Sequence, residues 1–234
     1  HSVTKGLAPM FIIIAVISGL IGVQPDLGAT AVIIAIAMGV LFLGGLDGKI
    51  FTAVLILAIA IGFSMIYLSP WRLERMISYW DVWGNAYGKG YQLSHSLIAF
   101  GRGEWFGVGL GASIEKLHYL PESHTDFIMA VIGEELGFVG VVVVVVAFYF
   151  FVRRAFAIGR QSIKLDRVFP GLVAEGVGIW IGFQAIINLG VATGMFPTKG
   201  LTLPFVSYGG SSLIATIAAV ALLLRVDREN RILM

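Results

Sequence analysis

Long apolar runs separated by short polar breaks dominate this chain, and their lengths set its class. Six runs cover Leu7–Val23, Gly28–Leu46, Ile50–Leu68, Phe127–Val152, Gly171–Thr193 and Ser212–Leu224. Each reaches or approaches the roughly 20 residues that a helix needs to cross a bilayer. The last is short, so its ends need help from the flanking residues. The valine run Val141–Val146 fits a helix here, because an isolated strand in lipid leaves its backbone groups unpaired.

Between the third and fourth runs lies a long connection, residues 69–126, with a pattern of its own. Ser69-Pro70 places an N-cap before a proline at the first helical position. Trp71, Leu73, Met76, Ile77 and Trp80 then fall near one face, with Arg72, Glu74 and Arg75 elsewhere, the pattern of a helix lying in the membrane interface. A second amphipathic piece, Tyr91–Phe100, is closed by Gly101. The glycine-rich stretch from Gly101 to Gly111 follows no predicted strand, which argues against a dinucleotide fingerprint. It reads either as a loop that offers backbone amides to an anion or as plain turns.

Composition sharpens the class. The chain is 58% hydrophobic and 13% charged, with a mean hydropathy of +0.91, against about 25% charged residues in a soluble domain. An all-α polytopic membrane bundle is expected, forming one membrane domain over residues 1–234. Gly133/Gly137 and Gly178/Gly182 have the small-xxx-small spacing of close helix contacts. The chain has no cysteine, so disulfides and thiolate metal sites are excluded, and its net charge of +2 gives no argument for nucleic acid.

Lysine and arginine in the short connections predict the orientation. Arg153, Arg154, Arg160, Lys164 and Arg167 crowd one loop, and Arg225, Arg228 and Arg231 follow the last run. Both chain ends are therefore expected on the cytoplasmic side, and residues 69–126 outside.

The polar residues that matter most sit at the outer edge. Glu122, His124 and Asp126 lie within five residues of one another, just ahead of the run beginning at Phe127. Ionisable groups at a membrane boundary suggest function. The stretch Ser123-His-Thr-Asp126 also fits a helix-capping box, so Asp126 reads equally as a cap. Gln24-Pro-Asp26 breaks the chain between the first two runs and reads first as a tight turn. Residues 194–211 are apolar enough to dip into the membrane, yet Pro204, Gly209 and Gly210 forbid a continuous helix. Such a re-entrant segment must be buried in protein or line a cavity. Gln184 and Asn188, four apart on one helix face, read as interhelical hydrogen-bonding residues. These features support an outward-facing polar site that an amphiphile can reach, without choosing between an enzyme and a transporter.

Several motifs carry a resemblance that covers nearly the whole chain. They are Gln24-Pro-Asp-Leu-Gly28, Gly103-Glu-Trp-Phe-Gly-Val-Gly-Leu-Gly111, Leu120-Pro-Glu-Ser-His-Thr-Asp-Phe-Ile128, Gly133-Glu-Glu-Leu-Gly137 and Lys199-Gly-Leu-Thr-Leu-Pro-Phe-Val-Ser-Tyr-Gly-Gly-Ser-Ser212. Together they resemble the SEDS family (shape, elongation, division and sporulation), and its division branch more than its elongation branch. The family implies a ten-helix bacterial cytoplasmic-membrane protein at the division septum that polymerises lipid II into β-1,4 glycan strands. The six runs then correspond to its C-terminal part.

The resemblance also implies roles. Asp126 matches the family's catalytic aspartate, a base for the acceptor 4-hydroxyl in an inverting displacement. Lys199, with Arg102 as a helper, offsets pyrophosphate charge. Glu122, His124, Ser207 and Ser211 are expected to contact substrate, while Gln24, Asp26, Glu134 and Glu135 are structural or unassigned. A divalent cation, Mg or Mn, is implied without assignable ligands. The implied partners are lipid II, undecaprenyl pyrophosphate, a class B penicillin-binding transpeptidase and other division proteins of the membrane. The rival readings are a flippase for the lipid-linked precursor, which needs a polar path to the cytoplasmic face, and a non-catalytic scaffold of the division machinery.

Overall fold

The computed structural model describes residues 3–23, 27–198 and 200–234, and among these every regular element is helical. The α-helices in chain order are α1 (Val3–Val23), α2 (Leu27–Leu43), α3 (Gly48–Tyr67), α4 (Pro70–Trp80), α5 (Tyr91–Gly103), α6 (Ile128–Lys164), α7 (Val168–Ala192) and α8 (Gly210–Ile232), with a short π-helical turn at Glu115–Tyr119 between α5 and α6. Helices α3, α6, α7 and α8 are long and apolar enough to cross a membrane, and α1 and α2 contribute the apolar stretches Pro9–Gly22 and Gly28–Leu43. The protein is an integral membrane helical bundle, as expected.

Two helices run past their apolar cores. The basic cluster expected in a loop lies on α6, which continues through Arg153, Arg154 and Arg160 to Lys164, leaving only residues 165–167 as connection. The last span likewise does not stop at Leu224 but continues to Ile232. Arg, Lys, Gln and Glu are good helix formers, so a change from apolar to charged residues marks the end of the hydrocarbon and not of the helix. The charged part of α8 is laced by Arg225–Glu229 and Asp227–Arg231 pairs four apart, and Arg154 of α6 reaches Asp227 at 3.0 Å.

Small residues bring α6 and α7 together. A Cβ on Gly178 would lie 3.1 Å from Ala155, and one on Gly182 would lie 3.0 Å from Val152, so the expected small-xxx-small face of α7 meets α6. At the end of the bundle where α6 meets α8 through Arg154, Ala155, Ile158, Ala174, Leu223 and Val226 form a core shared by α6, α7 and α8. At the other end Ala99, Leu120, Phe127, Met129, Ala185, Val191 and Leu203 form the largest one.

The helix expected at Pro70–Trp80 has those bounds, with Ser69 at the cap position, although its hydroxyl makes no cap bond. Ile77 and Trp80 stay exposed, while Arg72 and Tyr79 tie α4 to the bundle. Arg72 donates to the carbonyls of Met65 (3.2 Å) and Gly22 (3.3 Å), the last turns of α3 and α1, where a cation also offsets the helix dipoles. The Tyr79 hydroxyl reaches the carbonyls of Gly194 and Met195 beyond α7. Helix α5 does not end at Gly101 but continues to Gly103.

Helix α6 is opened at Gly137 (φ 66°, ψ −164°), in a backbone region that is essentially glycine-only. The opening removes the helical bonds from Phe138 N–H to Glu134 O and from Val139 N–H to Glu135 O. Residues 104–109 replace both. Phe138 N donates to Glu104 O (2.9 Å) and Val139 N to Trp105 O (3.2 Å), while Val108 N donates to Glu134 O (2.9 Å) and Gly109 N to Glu135 O (3.1 Å). Each freed donor and acceptor is satisfied, as buried backbone requires. The approach leaves no room for side chains: a Cβ on Gly137 would lie 2.4 Å from Gly107 N, and one on Gly103 would lie 1.8 Å from Gly133 O. The glycine-rich stretch and Gly133-Glu-Glu-Leu-Gly137 are thus two halves of one interlock.

Candidate functional site

Leu120 and Phe127, each 1% exposed, anchor the ends of the polar turn in the main core. Between them Glu122 adopts a left-handed conformation (φ 57°), and its carbonyl accepts from Thr125 N (3.2 Å) and Phe127 N (3.1 Å). The Glu122 carboxylate also accepts from the Thr125 hydroxyl at 2.6 Å. This self-contained turn delays the helix: α6 begins at Ile128 with Phe127 as its N-cap, and that cap makes no side-chain bond. The capping box expected at Ser123–Asp126 is therefore not formed, because the amides of Thr125 and Phe127 bond to the Glu122 carbonyl and Asp126 lies before the helix rather than in its first turn.

Residues 200–209 and helix α7 together hold this turn through three consecutive carbonyls. Tyr208 N donates to His124 O (2.9 Å), the Ser207 hydroxyl to Thr125 O (2.5 Å) and Asn188 Nδ2 to Asp126 O (2.9 Å). The Ser207 oxygen also accepts from Leu203 N at 2.7 Å, so this hydroxyl works as a strut. Helix α7 supports the same segment from beneath: Asn188 Nδ2 donates to Leu201 O (2.6 Å) and Gln184 Nε2 to Thr202 O (2.9 Å). The pair read as interhelical thus reaches loop carbonyls instead. Leu201, Leu203 and Pro204 are buried, and the Thr202 and Ser212 hydroxyls meet at 3.2 Å.

Asp126 is half-buried. Its carboxylate lies against Gly200, where a Cβ would sit 3.3 Å from Oδ2. On the other side of the turn a groove of about 610 Å³ is lined by His124, Ile128, Phe205, Val206, Ser207, Tyr208, Gly209, Gly210 and Leu213. Its walls are apolar and aromatic, and its rim carries His124 and the start of α8, which has no side-chain cap. Ser211 is exposed in the first turn of α8. Gln24, Asp26 and Lys199 lie outside the described residues.

Arg102, Glu134 and Glu135 belong to a second cluster beside the interlock. Glu134 is fully buried and accepts from Ser113 Oγ (2.5 Å), Ile114 N (3.0 Å), Glu115 N (3.3 Å) and Arg102 (3.2 Å). Glu135 pairs with Lys116. The amides on Glu134 belong to Ile114 and Glu115, just past the glycine-rich stretch, whose Gly107, Val108 and Gly109 amides go to backbone carbonyls. Arg102 is engaged by Glu134 and so joins this structural cluster. His95 pairs with Glu115 at 2.7 Å, its ring packed on Tyr91. Sequence reading missed His95, Ser113, Glu115 and Lys116, whose partners sit about twenty residues away across irregular backbone and leave no periodic signal.

With this geometry in view, comparisons with known proteins converge. Residues 1–232 match the family model FTSW_RODA_SPOVE, described as cell cycle protein. A probable peptidoglycan glycosyltransferase FtsW of Polynucleobacter necessarius is 60% identical over 236 residues, covering 100% of this chain and 56% of the relative. The corresponding protein of Burkholderia thailandensis is also 60% identical, over 100% of this chain and 51% of the relative. The chain thus spans about half the length of these curated relatives. Among solved structures, a chain described under structural coordination of polymerization and crosslinking by a peptidoglycan synthase complex superposes with a TM-score of 0.76. It is 30% identical, over 98% of this chain and 64% of that chain. The rod shape determining protein RodA of Thermus thermophilus gives a TM-score of 0.62 at 30% identity, over 95% of this chain and 56% of its own.

Proposed function

Because this chain belongs to the FtsW, RodA and SpoVE family of cell cycle proteins, we propose that it serves peptidoglycan glycan polymerisation from lipid II, with Asp126 as general base. The observation that carries this reading is the turn itself. It holds a half-buried carboxylate just ahead of α6, beside the backbone at Gly200.

In the proposed reaction the Asp126 carboxylate takes the proton of the acceptor 4-hydroxyl. The oxygen attacks the anomeric carbon of the donor, the bond to the lipid pyrophosphate breaks, and the configuration inverts. Pyrophosphate leaves with negative charge, which a nearby cation stabilises. Lys199, next in sequence to the glycine that packs on Asp126, is proposed for that role. The groove beside His124 suits the lipid-proximal part of a substrate, with apolar walls for the chain and the uncapped start of α8 for phosphate oxygens. Glu122, Arg102, Ser207 and Ser211 remain proposed substrate contacts, Arg102 and Ser207 alongside the bonds they make within the fold.

Among the described residues no three His, Asp or Glu side chains come together to hold a metal ion, and no step is routed through a divalent cation. We propose lipid II as substrate, undecaprenyl pyrophosphate as product and a class B transpeptidase with other division proteins as partners. The proposed location is the septum, with both chain ends cytoplasmic. Glycan polymerisation from purified lipid II by the intact protein tests the reading, and a protein that moves lipid II across vesicles without polymerising it would replace it with the flippase.

A further inference from the structure

We infer that Asn188 is a positioning residue, which clamps the Asp126 turn and the segment around Leu201 into one unit. This inference rests on the glycosyltransferase reading and deepens it. One amide nitrogen serves both segments, at 2.9 Å to Asp126 O and 2.6 Å to Leu201 O. Both hydrogens of Nδ2 are thereby used on carbonyls of the two segments, which Asn188 joins from α7, whereas Ser207 joins them from within the loop itself. Asn188 is 1% exposed, and its Oδ1, fully enclosed, has no hydrogen-bond partner. A buried acceptor without a donor is unfavourable, and an apolar side chain of similar size would satisfy the packing of α7 better. What asparagine supplies here is its pair of donors.

The consequence concerns the geometry of the reaction. The Asp126 carboxylate faces Gly200, so its place relative to the Gly200–Thr202 backbone depends on the bridge at Asp126 O and Leu201 O. Gln184 holds Thr202 from the same face of α7 but touches only the loop. Asn188 alone of the two fixes base and loop together, and small displacements of a reacting group slow catalysis steeply.

The molecule contains its own control. Asn230 of α8 is fully buried, donates from Nδ2 to Ile158 O at 3.1 Å and also has an unpartnered Oδ1, but it lies at the opposite end of the bundle. In the intact protein, Asn188→Leu is expected to lower kcat for lipid II polymerisation about 10-fold or more, with KM within about twofold. Asn230→Leu, at a comparable loss of Tm, should keep kcat within about twofold, because a change remote from the reacting groups alters folding and not their alignment. Asn188→Asp, which keeps the size and removes both donors, provides the same comparison if the leucine variant does not fold. Equal kcat in both leucine variants, or a rate loss that merely follows Tm, overturns the inference. Hydrogen exchange gives an arm independent of activity: peptides covering 122–127 and 201–208 should both lose protection in Asn188→Leu and keep it in Asn230→Leu. Unchanged protection also overturns the clamp, whereas a wild-type protein that makes no polymer overturns the enzymatic reading and leaves the exchange test intact.

Discussion

Asp126 and Gly200 are in contact: a Cβ at position 200 would lie 3.3 Å from Asp126 Oδ2. This carboxylate lies beside a neighbouring segment that is backbone only at that point, and Asp126 precedes Phe127, the N-cap of α6.

Asp126→Asn is expected to fold normally, since Phe127 and not Asp126 occupies the N-cap of α6, and to abolish polymerisation. Removing the proton acceptor should slow the reaction roughly 100-fold or more. Purified variant and wild type, compared on lipid II with matched unfolding curves, provide the check. A near wild-type rate would leave Asp126 without a catalytic role.

Gly137 and Gly101 should respond to alanine with opposite signs. Gly137 has a glycine-only backbone and no room for a Cβ, so Gly137→Ala should cost about 2 kcal/mol or more. Gly101 lies inside α5 with open space where a Cβ would go, and Gly101→Ala should stabilise by roughly 0.5–1 kcal/mol. Thermal unfolding in one detergent reads both, and a neutral Gly137→Ala would refute the interlock.

Glu134→Gln should destabilise although the shapes match. The carboxylate accepts from Ser113, two backbone amides and Arg102. A carboxamide presents an NH2 to donors on one side and leaves Arg102 without its partner charge. A loss of about 2–3 kcal/mol is expected, with increased proteolysis within residues 107–119. Wild-type unfolding and cleavage would show that the cluster does not order this loop.

The proposed orientation is testable by labelling, helped by the absence of native cysteine. Tyr87→Cys and Arg160→Cys, both at exposed positions, should react with a membrane-impermeant maleimide from opposite sides. Reaction from the same side would sink the topology.

What the sequence disclosed followed the reach of its signals. Apolar length located the helices, and proline at the first helical position with amphipathic spacing set the bounds of α4, because both signals are local. The ends of α6 and α8 were misplaced because hydropathy reports the bilayer, whereas Arg153–Lys164 and Arg225–Ile232 stay helical on propensity and salt bridges. Gly133 and Gly137 looked like a helix-packing pair. Only the backbone of residues 104–109 shows that Gly137 marks a break. The three polar residues of the turn were conspicuous by charge, but nothing in the spacing of Gln184 and Asn188 distinguishes reaching another helix from reaching a loop carbonyl.

The opened turn of α6 bears on how the protein is made. Residues 104–109 leave the ribosome before residues 134–139, so the segment that fills the break exists before the helix that needs it. Bare N–H and C=O groups are costly in lipid, and a filler encoded downstream would leave them exposed during insertion. The order of the two glycine motifs along the chain thus gives α6 a ready template for its broken turn.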